Sequence, residues 1–213
     1  MVEAILWDND GVLVDTESLY FEATKRVLAG AGVELTPELY CDISLRQGRN
    51  LLELAGSSGA TPGRVLSLRE ERDALYSRLL QRDARVFPQV TETLRDLHGK
   101  IRMAIVTSSK REHFNLIHRA SGLIDFFEFA VVREDYAKSK PYPDPYQLAL
   151  TRLGLSADQC LAIEDSERGL ASALAAGVRC VMIRGRFTEE SDFRGATAIL
   201  PDVSRVPDFI RNL

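Results

Sequence analysis

Short apolar runs alternate with amphipathic segments along most of this chain of 213 residues. The runs are typical of strands buried on both faces, and they lie at residues 4–7, 103–106, 129–132, 160–163, 180–183 and 198–200. Helical periodicity fills most of the intervening segments, at residues 91–97, 110–121, 145–153 and 167–176. Because such helices pack against a parallel sheet, the pattern predicts an α/β fold: a Rossmann-like parallel sheet with helices on both faces.

The segment after the first strand breaks this alternation, because it has helical periodicity and no convincing strand. Thr16 or Ser18 can cap the first of three helices in this segment. The segment is therefore an insertion, and the α/β core is discontinuous. We predict a core of residues 1–15 and 87–213 and an inserted all-helical cap domain of residues 16–86.

Composition argues against several classes of partner. The formal net charge is -4 without a basic stripe to offset it, so we expect no nucleic-acid partner. No apolar run approaches the roughly 18 residues of a membrane span, and the N-terminus has no signal peptide, so we expect no membrane partner. Three widely spaced cysteines are typical of buried, reduced thiols and thus of a cytoplasmic protein. A monomer is the default expectation.

Polar side chains follow several of the predicted strands. Asp8 and Asp10 end the first apolar run, Thr107 and Asp165 follow two later runs, and Lys140 lies in a turn-rich stretch before a helix. Each residue alone is more often a turn, helix-cap or surface residue. Because parallel strands bring their carboxyl ends to one sheet edge, the set together predicts a site that binds Mg²⁺ and attacks a phosphate.

Longer segments around these residues carry a second signal. They are Asp8-Asn9-Asp10-Gly11-Val12-Leu13-Val14-Asp15-Thr16-Glu17, Thr107-Ser108-Ser109, Lys140-Pro141-Tyr142-Pro143-Asp144, and Ile163-Glu164-Asp165-Ser166 running to Gly169. In order and spacing they resemble the haloacid dehalogenase-like superfamily across the whole chain. The most similar group holds β-phosphoglucomutase and small-sugar phosphatases, which carry a helical cap after the first motif.

The resemblance implies an Mg²⁺-dependent phosphatase that hydrolyses a small, sugar phosphate-like phosphomonoester. Asp8 would be the nucleophile that forms an aspartyl-phosphate, and Asp10 would be the general acid and base. Mg²⁺ would be bound by Asp8, the backbone carbonyl of Asp10 and Asp165, with Glu164 as a further acidic ligand. The phosphoryl oxygens would be bound by Thr107, Ser108 and Lys140, with Lys138 as a rival of Lys140.

Three cap residues, Tyr20, Arg49 and Arg72, are implied to contact the substrate. Tyr20 stands where the mutase has a proton-relay histidine, which weakens the case for mutase chemistry. A cap lysine that cleaves carbon–phosphorus bonds through a Schiff base would have to be Lys25, whose helical context argues against that role. Asn9 stands where relatives have an apolar residue, so we expect a polar neighbour beside it.

Two alternative functions remain open. A phosphosugar mutase of the β-phosphoglucomutase type would return the phosphoryl group to another hydroxyl of the sugar. A phospho-accepting receiver module, which is not an enzyme, also has a parallel α/β fold with acidic residues, a threonine and a lysine. A receiver is unbroken and carries its accepting aspartate on a later strand, so the aspartate pair at the first strand and the insertion favour the phosphatase.

Overall fold

One large parallel sheet and one short antiparallel ribbon are present in the computed structural model, which describes residues 2–119 and 121–213. The strands are β1 (Ala4–Trp7), β2 (Val14–Asp15), β3 (Arg85–Val86), β4 (Arg102–Val106), β5 (Ala130–Val131), β6 (Cys160–Glu164), β7 (Arg179–Ile183) and β8 (Ala198–Leu200). The large sheet has the order β5-β4-β1-β6-β7-β8, and every neighbouring pair is parallel. The predicted fold class is confirmed.

The helices include several that the sequence pattern does not predict. The α-helices are α1 (Glu17–Ala29), α2 (Pro37–Tyr40), α3 (Glu53–Ser57), α4 (Pro62–Asp83), α5 (Val90–Leu97), α6 (Arg111–His118), α7 (Asp144–Leu153), α8 (Glu167–Ala175) and α9 (Val206–Arg211). Helices α2 and α9, and a π-helical turn over Cys41–Arg46, are unpredicted because such short segments show too few apolar repeats. Within the described ranges, no helix combines the length and hydropathy that crossing a membrane requires.

The central strand is apolar throughout because both of its faces are covered. Ile5 and Trp7 of β1 pack with buried residues of α5 and α6 on one face of the sheet. Ala4 and Leu6 pack with buried residues of α7 and α8 on the other face. All four side chains are fully buried, as expected for a strand in the middle of a parallel sheet.

The inserted helices share their apolar contacts between two clusters. Val27 and Leu28 of α1 pack with Leu68 of α4 in a cluster of their own. The C-terminal half of α4 instead places Leu79 and Leu80 in the cluster on the α5–α6 face of the sheet. Helix α4 therefore joins the inserted segment to the core by direct packing.

The chain leaves and re-enters the core through the antiparallel ribbon. Val14 of β2 pairs with Val86 of β3, and Asp15 pairs with Arg85. Strand β3 lies within the predicted cap range, so the last residues of that range are not helical. The division into a core of 1–15 and 87–213 and a cap of 16–86 stays a prediction.

Candidate active site

The sheet register explains why distant polar residues meet at one edge. Trp7, the last residue of β1, aligns with Ile105 of β4 and Ile163 of β6. Residues just beyond these positions therefore emerge beside one another, where the strand order reverses on either side of β1. A cavity of about 370 Å³ opens at this edge, between the strand ends and the inserted helices. Its lining includes nine predicted site residues, Asp8, Asp10, Tyr20, Arg49, Arg72, Thr107, Ser108, Lys140 and Asp165.

Asp8 lies directly after β1 and is almost fully buried. Its backbone N–H donates to the Ile163 carbonyl at 2.9 Å, which holds it against β6. Its Oδ1 accepts a hydrogen bond from Lys140 Nζ at 2.8 Å. Burial and the neighbouring Glu164 carboxylate raise the pKa of Asp8 to about 7, although Lys140 favours the ionised form.

Lys140 is the buried cation of the site. Its Nζ donates to Asp8 Oδ1 at 2.8 Å, to the Val106 carbonyl at 2.8 Å and to Glu164 Oε1 at 2.5 Å. Burial alone would lower the pKa of Lys140, but the two carboxylates raise it above its ordinary value. The rival, Lys138, is exposed and lies over the Tyr142 ring, so Lys140 is the lysine that the fold brings to Asp8.

Three carboxylates converge beside this lysine. One oxygen each from Asp8, Glu164 and Asp165 lies within 4.8 Å of the others. Glu164 is fully buried and lies outside the cavity lining. Its Oε1 accepts from Lys140 and from Tyr146, and its Oε2 has no hydrogen-bond partner among the residues that the structure describes. Burial, with the charge of Asp8, raises the pKa of Asp165 well above its ordinary value. Three buried carboxyl groups this close together can all be ionised only if a cation lies beside them.

Gly11 shows why the motif Asp-x-Asp ends in glycine. Its φ is +83°, and a Cβ at this position would lie 1.9 Å from Asp165 Oδ2. Both the backbone conformation and the close approach exclude a side chain. Glycine therefore allows the turn after β1 to lie against the acidic cluster.

The Asp10 carboxylate accepts hydrogen bonds from a set of hydroxyl groups. Its Oδ1 accepts from Thr16 Oγ1 at 2.5 Å, and its Oδ2 accepts from Ser109 Oγ at 2.7 Å and from Thr107 Oγ1 at 3.0 Å. Thr16 occupies the N-cap position of α1, but its hydroxyl does not cap that helix. The predicted capping bond is therefore wrong for Thr16, because its side chain binds Asp10 instead. The two predicted phosphate-binding hydroxyls have partners of their own: Thr107 donates to Asp10, and Ser108 accepts from Ser139 Oγ at 3.1 Å.

The three predicted cap residues all line the cavity but differ in burial and in pairing. Arg72 is buried; it donates to Tyr20 Oη at 2.6 Å and to Asp73 Oδ1 at 2.7 and 3.0 Å. Asp73 Oδ2 also accepts from Lys110 Nζ of the core at 2.5 Å. Arg49 is exposed and pairs with Glu53 of its own segment at 3.0 Å. Tyr20 and Arg72 therefore lie together, whereas Arg49 is separate from them.

Several residues of the site are absent from the sequence predictions. Ser109 contacts Asp10, and Arg168 of α8 lines the cavity. The expected polar neighbour of Asn9 is His118, whose Nε2 lies 2.7 Å from Asn9 Oδ1 in the buried core. The polar Asn9 between two aspartates indicates a polar neighbour, but only the fold shows that this neighbour is His118. Arg168 lies within the predicted Glu164–Gly169 motif, and its charge is the one feature of the sequence that could have marked it as a site residue.

The protein thus combines a Rossmann-like parallel sheet, paired aspartates at the end of β1 and a helical insertion after that strand. A family model described as haloacid dehalogenase-like hydrolase matches residues 5–183. The chain belongs to this family.

Named relatives extend over most of the chain. "Protein CbbY" of Rhodobacter capsulatus is 30% identical over 220 residues, which cover 95% of this chain and 94% of the relative. "Phosphorylated carbohydrates phosphatase" of Thermotoga maritima is 33% identical over 186 residues, 83% of this chain and 82% of the relative. A crystal structure of a CbbY variant from Rhodobacter sphaeroides, in complex with xylulose 1,5-bisphosphate, superposes with a TM-score of 0.81 at 25% identity and covers 96% of each chain. Family and relatives together support a phosphoric monoester hydrolase.

Proposed function

We propose that the enzyme is an Mg²⁺-dependent phosphatase that hydrolyses a small, sugar phosphate-like phosphomonoester through an aspartyl-phosphate. The observation that carries the proposal is the buried Asp8 carboxylate, which receives a hydrogen bond from Lys140 and lies within the acidic cluster of Glu164 and Asp165. The relatives named for phosphorylated carbohydrates and the sugar bisphosphate complex support the substrate class.

Asp8 is suited to act as the nucleophile. Lys140 binds one carboxylate oxygen and favours the ionised form, so the side chain can attack phosphorus as an anion. The new bond joins an Asp8 oxygen to phosphorus, and the bond from phosphorus to the ester oxygen breaks. The charge of Lys140, with the hydroxyl of Thr107 and of Ser108, would stabilise the transferring phosphoryl group.

Asp10 is suited to move the proton. In the first step it would donate a proton to the departing ester oxygen, and in the second it would take one from the water that hydrolyses the aspartyl-phosphate. Its carboxylate is oriented by hydroxyls from two segments: Thr16 before α1, and Thr107 and Ser109 after β4. This orientation makes the same side chain available for both steps.

The acidic cluster fits a magnesium ion. Carboxylate oxygens are the hard ligands that Mg²⁺ prefers, and the buried Glu164 Oε2 lacks a partner among the described residues. Asp8, Asp165 and the backbone carbonyl of Asp10 would hold the ion, with Glu164 beside them. When bound, Mg²⁺ would offset the negative charge of the phosphoryl group and of the carboxylates.

A phosphate-release assay tests the proposal. Purified protein with Mg²⁺ is screened against sugar, glycolytic and nucleotide phosphates, with Asp8→Asn as the inactive variant and the exposed Asp125→Asn as the control. We expect Asp8→Asn to lose roughly 1,000-fold or more of kcat, while Asp125→Asn retains wild-type turnover. Wild-type turnover in a folded Asp8→Asn variant would contradict the mechanism, and full activity of the EDTA-treated enzyme would contradict the role of the metal.

A further inference from the structure

The cavity contains more cationic side chains than its carboxylates neutralise. Four of the lining cations have a carboxylate oxygen within 4.0 Å. Within the described part of the chain, Arg69, Arg133 and Arg168 have none. Arg69 is exposed to solvent, and Arg133 donates to the Tyr136 carbonyl at 3.0 Å. Arg168 is half-buried, so it is neither exposed like Arg69 nor, within the described residues, bonded to a backbone carbonyl like Arg133.

Arg168 also has unused hydrogen-bond donors. Its Nε is buried without a partner, and no nitrogen of its guanidinium donates to another residue in the ranges that the structure describes. A buried N–H without an acceptor is unfavourable, so in native proteins such a group usually has a ligand, an ion or water. The side chain lines the same cavity as Asp8. Arg168 therefore borders the space that a substrate of Asp8 would occupy.

The position of Arg168 is fixed from two sides. The residue lies in the first turn of α8, three residues after Asp165. A Cβ placed on Gly48 of the inserted segment would lie 3.9 Å from Arg168 Cδ, so the aliphatic part reaches this loop. The neighbouring Glu167 Oε1 accepts from Arg46 Nε of the inserted segment at 3.2 Å. Arg168 thus spans the boundary between the strand ends and the inserted segment.

The nearby carboxylates do not already satisfy this arginine. Glu17 Oε2 accepts a hydrogen bond from the Tyr40 hydroxyl, and Asp8 Oδ1 accepts from Lys140. No oxygen of Glu17, Asp8 or Asp165 lies within ion-pair distance of Arg168, since no such pair occurs among the described residues. Burial lowers the pKa of Arg168, but the charges of Glu17 and Asp8 raise it above its ordinary value without forming an ion pair with the guanidinium, so its donors stay available to a molecule that enters the cavity.

We propose that Arg168 is a specificity-determining residue that binds a second anionic group, a carboxylate or a second phosphate, on the phosphomonoester substrate. The proposal rests on the proposed phosphatase function and narrows its substrate class to esters with two anionic groups. A guanidinium matches both groups through paired N–H donors. An ester that ends in a neutral hydroxyl offers a single acceptor and no charge to the guanidinium, so the site should discriminate against it.

The test compares esters that differ only at the end remote from the phosphate. Alkyl phosphates of two to five carbons that end in a hydroxyl, a carboxylate or a phosphate are hydrolysed by wild type, Arg168→Met and Arg168→Lys. The measured quantity is the ratio of kcat/KM for each anionic ester to that for the hydroxyl ester of equal length. We expect Arg168→Met to lower this ratio about 10- to 100-fold and Arg168→Lys to lower it less. The anionic ester with the larger change identifies the group that Arg168 binds.

The control variant is Arg95→Met, an exposed arginine of α5 outside the cavity, which should keep the wild-type ratio. An unchanged ratio in Arg168→Met, whether or not all rates fall together, would overturn the inference and leave the phosphatase function intact. A folded wild-type protein that hydrolyses sugar phosphates but none of these esters would overturn the inference alone, and one that hydrolyses neither would overturn both. Circular dichroism of each variant establishes that the comparison is made between folded proteins.

Discussion

Replacing His118 should flatten the dependence of protein stability on pH. His118 is buried, its Nε2 donates to Asn9 Oδ1 at 2.7 Å, and Asn9 Nδ2 donates to Asp10 Oδ2 at 3.3 Å. Burial lowers the pKa of His118 from 6.5 to about 4, so the folded protein keeps the imidazole neutral. The unfolded chain protonates this histidine below about pH 6.5.

The sign and size of the effect follow from this difference. Between pH 6.5 and about 4 the unfolded state binds more protons than the folded state, so stability is lost as the pH falls. Each unit of pKa difference corresponds to about 1.4 kcal/mol. His118 alone should therefore remove roughly 2 kcal/mol of unfolding free energy between pH 7 and pH 5, and roughly 3 kcal/mol by pH 4.

The assay is urea unfolding at several pH values between 7.5 and 4.5, followed by the fluorescence of Trp7, the single tryptophan, which is fully buried. His118→Gln keeps a donor for Asn9 but does not titrate, and exposed His98→Gln is the matched control. We expect the wild type and His98→Gln to lose stability in parallel, while His118→Gln loses roughly 2 kcal/mol less between pH 7 and pH 5. Parallel curves for wild type and His118→Gln would refute the reasoning.

Three further predictions concern the site. Asp165→Ala should weaken the apparent Mg²⁺ affinity of phosphatase activity at least about 10-fold, because an anionic ligand is lost; a metal titration of turnover checks this. Gly11→Ala should lose both stability, by roughly 1–3 kcal/mol, and Mg²⁺ affinity. Gly59→Ala should lose stability alone, because φ is +98° there and a Cβ would have no described atom within 4 Å. With hexose 1-phosphates and a bisphosphate activator, phosphate release should exceed hexose 6-phosphate formation in wild type and in Tyr20→His. A dehydrogenase-coupled assay measures hexose 6-phosphate, and isomerisation faster than phosphate release would favour the mutase.

The strand and helix pattern could be predicted because local apolar periodicity reports burial directly. Residues 4–7 and 198–200 are strands at the predicted bounds, and the strands that end near Val106 and Ile163 begin within one residue of expectation. The predicted helix over 110–121 is shorter, Arg111–His118, and Ala120 lies outside the described residues. Parallel topology then brings the strand ends together without further information.

The partners of individual polar groups could not be predicted in this way. Thr16 satisfies the local rule for a helix cap, yet its hydroxyl binds Asp10. Arg72 pairs with the adjacent Asp73, which also pairs with Lys110, 37 positions further along the chain. Hydrogen bonds between distant segments depend on tertiary distances, which local periodicity does not report.

The antiparallel pairing of β2 with β3 has a consequence for how such enzymes diversify. Residues paired in an antiparallel ribbon lie only about 5 Å apart, so both ends of the inserted segment leave the core at nearly one point. An exchange of this segment for another of different length would alter neither the strand order nor the register of the large sheet. Under the proposed function, a new inserted segment attached at this one point would change substrate recognition and leave the phosphatase residues at the strand ends in place.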